Sequence, residues 1–100
     1  NTHLTGEIYA VVGEPAYVEY ARMGSVQLAD LVGKSAADAN VLILANHGVI
    51  TMGDNLFEAY NRTEIIEYAA HLTFLTKLIG NASPLNENKL NAIIEFLKNR

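Results

Sequence analysis

One hundred residues, half of them hydrophobic and 18% charged, make a folded, core-rich chain with room for one domain core and not two. The net charge of −4 argues against a nucleic-acid footprint or a polybasic membrane contact. Without cysteine there is neither a disulfide framework nor a thiolate metal site, which fits a cytoplasmic protein; no apolar run approaches the about 20 residues of a membrane span, and no secretory signal is visible.

The chain opens on "NTHLTGEIYAVVG", with no initiator methionine and no helix-start signal, as if it began in the middle of a longer protein. Residues 8–12 are rich in β-branched and aromatic types, a strand-like composition stopped by Gly13. In "PAYVEYA", partial alternation and Pro15 suit the start of a strand or an edge. Ser25 after Gly24 reads as an N-cap. Val26, Leu28, Ala29, Leu31 and Val32 give a short amphipathic helix that Gly33 can close and "SAADA" can extend.

Residues 41–45, "VLILA", form a continuous apolar run, the pattern of a strand buried on both faces. "GVITM" follows as a second strand, ended by "GDN". Asp54 is placed to cap the longest helix, residues 55–79. Its apolar face runs through Leu56, Ala59, Thr63, Ile66, Ala70, Phe74 and Leu78, with Gly80 as the terminating residue. Ser83-Pro84 is placed to open a last helix with a stripe of Leu90, Ile93, Ile94 and Leu97. "NRT" at Asn61 and "NAS" at Asn81 read as chance glycosylation triplets.

The chemistry-bearing residues are few. A metal site needs three or four convergent ligands, and the chain has three histidines, His3, His47 and His71. His3 falls in an end expected to fray. His71 and Glu67 stand one helical turn apart and read as an ordinary i,i+4 pair, with a two-ligand contribution geometrically possible. His47 ends an apolar strand, where rigid backbone aims a side chain accurately. Gly48 permits a sharp turn or a close backbone approach, and Asn46 can serve turn backbone groups. On these features a structural histidine and a metal ligand both stand open, the structural role being the commoner. The carboxylates form no acid/base pair, there is no phosphate-cradling glycine loop, and no Ser-His-Asp arrangement can be argued.

As a connected pattern, "VLILANHGVITMGDNLFEAYNRTEIIEYAAH" resembles the C-terminal half of the class II aldolase/adducin-head family. That family has an apolar strand, Asn/Gln/Arg-His-Gly, a second short strand, Gly, then Leu-x-x-Ala on a long helix. The matching residues are Leu44, Asn46-His47-Gly48, Gly53, and Leu56 with Ala59. Upstream, Tyr20, Gly24, Ser25 and Leu28 match the family's Tyr…Gly-Ser/Thr-x-x-Leu segment, and the resemblance covers residues 7 to 80.

The resemblance implies an α/β layered sandwich of a mainly antiparallel sheet with flanking helices, and residues 1–100 as the C-terminal half of one such domain. It implies a lyase of the L-fuculose-1-phosphate aldolase type, cleaving a sugar phosphate by a retro-aldol reaction through a metal-stabilised enediolate. The alternatives are a sugar-phosphate 4-epimerase of the same family and a non-catalytic, adducin-like interaction domain. His47 matches one of the family's three zinc ligands. The His-x-His pair that completes the Zn2+ site, and the glutamate base, have no counterpart in the chain. Tyr9 stands nearest the family's aldehyde-handling aromatic. The chain alone is therefore expected to be inactive, and the intact protein to be a cytoplasmic, zinc-dependent homotetramer.

Overall fold

The apolar run is a strand covered on both faces. In the computed structural model, which describes residues 1–100, it is β2 (Val41–Leu44), the central strand of a three-stranded sheet. β1 (Ala16–Val18) and β3 (Gly48–Thr51) flank it. Val41 and Leu42 point to opposite faces, and each is 0% exposed.

β2 and β3 form an antiparallel hairpin, with Leu42 opposite Ile50 and Leu44 opposite Gly48. β1 joins β2 in parallel, Val18 opposite Leu44. The parallel pair follows from connectivity, because helix α2 (Val26–Ala36) lies between the two strands and serves as their crossover. The architecture is α/β, with helix packed on sheet as expected, and the sheet is mixed. β1 is shorter than "PAYVEYA" because Val18 faces the last residue of β2; beyond it there is no strand left to pair with.

One of two compact units, Glu14–Thr63, holds this sheet. Its core joins Val18, Leu42 and Leu44 to Leu28, Leu31, Val32 and Ala36 of α2. Burial of a leucine there contributes about 1.5–3 kcal/mol. Ser25 caps α2 as expected, its side chain accepting from Leu28 N–H at 3.1 Å. Gly33 does not close the helix: its φ is not left-handed, and α2 runs on to Ala36, which packs into the core.

Helix α3 (Leu56–Ile79) belongs to this unit up to Thr63. Its cap is Asn55 and not Asp54, since Asn55 Oδ1 accepts from Glu58 N–H at 2.8 Å. The expected apolar face of α3 holds only in part. Ile66 is buried as expected and Ala59 half-buried, but Leu56, Thr63, Ala70, Phe74 and Leu78 are exposed, and Ala69, outside that face, is buried. A helix apolar around much of its girth gives its period to several faces, so spacing alone does not choose the buried one.

The second unit comprises Asn1–Gly13 and Glu64–Arg100. Residues 8–12 lie in a helix, α1 (Gly6–Val12), and not in an extended segment. Thr5 supplies the start signal, its Oγ1 accepting from Ile8 N–H at 3.1 Å. Ile8 and Val12, one turn apart, are both buried. Burying both outweighs the β-branched penalty, at most about 0.7 kcal/mol per residue.

Helix α4 (Glu87–Lys98) packs on α1, and its expected stripe holds: Leu90 is buried, and Ile93, Ile94 and Leu97 are half-buried. Its cap is Asn86, accepting from Lys89 N–H, so Ser83-Pro84 stays in the preceding loop. Gly80 ends α3 as expected, with φ +78° and its N–H donating to Thr76 O at 2.8 Å. No helix is long and apolar enough to cross a membrane.

Candidate functional site

The site begins with the hairpin between β2 and β3. His47 N–H donates to Leu44 O at 3.1 Å, closing a four-residue turn whose third residue, Asn46, has φ +59°. This is the type II pattern, which demands a left-handed residue at its third position. Ala45 N–H donates across to Val18 O at 2.9 Å, so the turn is tied to β1 as well. Leu44, directly before it, is buried in the core. A short turn pinned at both ends thus presents Asn46 and His47 to solvent.

Gly48 plays neither part expected of it. The turn is made at Asn46, and a Cβ at Gly48 would meet nothing within 4 Å. The glycine simply opens β3 opposite Leu44.

At the far end of β3, a strap of polar contacts binds strand to helix. Thr51 Oγ1 donates to Ala59 O at 2.8 Å and shares a 2.6 Å hydrogen bond with Thr63. Arg62 Nη1 donates to Met52 O at 2.7 Å and to Glu58 Oε1 at 2.8 Å. Glu58 Oε1 also accepts from Asp54 N–H at 3.1 Å. That backbone donor, then the Arg62 guanidinium, hold the Glu58 carboxyl below its ordinary value of 4.5. Gly53 makes the approach possible: a Cβ there would stand 2.9 Å from Ala59 N and from Glu58 Cβ. The residues alone did not disclose this strap, although the Glu58/Arg62 spacing and Gly53 were its visible signals.

The other histidines stand elsewhere. His3 and His71 belong to the second unit. His3 is not frayed. Its ring packs edge-on to Tyr9 at 5.4 Å, and its carbonyl accepts from Leu85 N–H at 2.8 Å. Beside it Thr2 is buried, donating to Gly13 O at 2.7 Å. Tyr9 sits half-buried on α1. His71 and Glu67 are both exposed on α3, and no hydrogen bond or ion pair joins them. No group of three or more His, Cys, Asp or Glu that could hold a metal ion is assembled. His47 therefore offers one imidazole, and the residues of this chain do not by themselves fit a catalytic zinc.

Comparison with known proteins gives the hairpin its context. Residues 2–74 match the family described as the class II aldolase and adducin N-terminal domain. The chain is 41% identical over 71 residues to L-fuculose phosphate aldolase of Methanococcus maripaludis, a match spanning 71% of this chain and 38% of that protein. It is 36% identical over 63 residues to 3-oxo-tetronate 4-phosphate decarboxylase of Haemophilus influenzae, covering 63% of this chain and 30% of the relative. Among solved structures, YgbL of Escherichia coli superposes with a TM-score of 0.85 at 28% identity, over 93% of this chain and 44% of that one. The chain thus spans well under half the length of the curated relatives it matches.

Proposed function

Because this chain belongs to the class II aldolase and adducin family, we propose that it is the C-terminal half of a zinc-dependent aldolase of the L-fuculose-1-phosphate type. The reaction is reversible retro-aldol cleavage of a sugar phosphate. The intact protein acts in the cytoplasm as a homotetramer, and His47 is one of its zinc ligands. The observation that carries this reading is the pinned turn that exposes His47 within the aldolase-like Asn46-His47-Gly48 pattern. A ligand must be held in a fixed direction, and a short turn tied to two strands does that.

The remaining ligands and the general base come from outside these 100 residues. The contribution of this chain is therefore placement: β2 and its core fix Leu44, and the turn fixes the backbone of Asn46 and His47. The decarboxylase relative shows that family members differ in the bond they break. A sugar-phosphate 4-epimerase, which uses similar retro-aldol chemistry, is the alternative within the enzyme class.

The test is made on the whole protein. Zinc is measured by elemental analysis, and turnover of L-fuculose 1-phosphate is followed by product formation, with epimer formation assayed alongside. One zinc per chain, lost together with cleavage in His47→Ala, is the expected result. A folded whole protein that binds no zinc and transforms no sugar phosphate sinks the enzyme reading and leaves the adducin-like one.

A further inference from the structure

Four residues of this chain have a positive φ, and three of them are glycines: Gly13, Gly24 and Gly80. The fourth is Asn46, beside His47. Glycine takes the left-handed conformation without steric cost, so it is the default residue there. Asparagine is tolerated in such turns chiefly because its amide can bond to neighbouring backbone. Here that local reason is missing. The Asn46 side chain is exposed and makes no hydrogen bond within the chain, although the backbone around it is bonded on both sides. At the one left-handed position next to the exposed histidine, the chain keeps a side chain that its own fold does not use.

We propose that the Asn46 carboxamide is a substrate-contacting group of the His47 site. A carboxamide offers two N–H donors and one acceptor, a set suited to the oxygens of a polyhydroxylated phosphate ester. This inference rests on the aldolase reading and deepens it by adding the residue that binds substrate beside His47. Asn46 is placed for the task by the same turn: its backbone is fixed by the bonds at Ala45 and His47, so only side-chain rotamer freedom is lost when the amide engages a ligand.

The experiment compares Asn46→Gly and Asn46→Asp in the whole protein. Glycine keeps the turn and removes the amide; aspartate keeps the shape and the tolerance for a left-handed φ, but loses the donors and sets a negative charge toward an anionic substrate. Melting temperature, zinc content and kcat/KM for L-fuculose 1-phosphate are measured for each. The side-chain NH2 resonance of Asn46, assigned by its disappearance in the glycine variant, is followed as L-fuculose 1-phosphate is added.

Both variants should keep the melting temperature and the zinc; Asn46→Gly should lose about tenfold in kcat/KM, the effect of one hydrogen bond, and Asn46→Asp more, because its charge also repels the anionic substrate. In the unsubstituted protein the resonance should move on ligand addition. Wild-type kcat/KM in the variants, or a resonance that stays still while ligand binds, makes Asn46 a turn-former only and overturns the inference. Loss of zinc in Asn46→Gly, as in His47→Ala, also overturns it, because Asn46 would then act on the histidine and not on substrate. An unsubstituted protein with neither zinc nor turnover overturns the aldolase reading itself, and this inference with it; turnover by the unsubstituted protein separates that failure from the others.

Discussion

At the scale of single residues, Gly53 and Glu58 are the positions where the structure says most that composition does not. A Cβ at Gly53 would collide with the Ala59 backbone nitrogen at 2.9 Å, and backbone at the start of a helix cannot move aside cheaply. Gly53→Ala should destabilise the protein by about 1–3 kcal/mol, read from the midpoint of urea unfolding. Gly48→Ala, where nothing stands within 4 Å, should leave that midpoint nearly unchanged. Glu58 gives a pH dependence of definite sign. Its carboxyl is held below 4.5 in the folded chain, first by the Asp54 N–H and then by Arg62. The folded state therefore resists protonation more than the unfolded state does. Its contribution is complete above the ordinary carboxylate range and fades as pH falls through the lowered value. In Glu58→Gln that part of the acid dependence of the unfolding midpoint should vanish, while the midpoint near neutral pH drops slightly.

At the scale of elements, the helix starts decide more than the helix bodies. Ser25 was legible because a glycine precedes it and an apolar period follows at once. Thr5 was not, because the β-branched run after it argued for an extended segment, and tertiary burial of Ile8 and Val12 reversed that argument. At α3 the neighbours Asp54 and Asn55 are both good caps, and the choice fell to the residue whose oxygen reaches Glu58 N–H. Asn55→Ala and Thr5→Ala should each cost about 1 kcal/mol, and Asp54→Ala, which keeps its backbone N–H on Glu58, distinctly less. Thermal unfolding of the three variants checks the order. Equal losses at Asp54 and Asn55 would mean that the cap is shared.

For the molecule as a whole, the chain exposes large apolar side chains that a monomer in water normally covers, among them Leu56 at 86%, Phe57 at 82%, Val26 at 78% and Ile79 at 75%. The isolated 100-residue chain should self-associate with rising concentration, seen by light scattering, and show no aldol cleavage when supplied with zinc. Cleavage by that chain alone would refute the view of His47 as one ligand among several. By itself the sequence determined what repeats locally: the apolar strand within residues 41–45, a second strand after it, the long helix ended by Gly80, and Asn46-His47-Gly48 as the stretch to watch. Those features depend on period and on a few residues with special backbone freedom, and both can be read from neighbours in the chain. Only the tertiary structure decided which face of α3 is buried, that β1 pairs in parallel, and that Arg62 and Glu58 bind helix to strand. The first two depend on residues far apart in sequence meeting in space, and the third on the chain folding back over Gly53; burial worth several kcal/mol overrides local preferences of tenths.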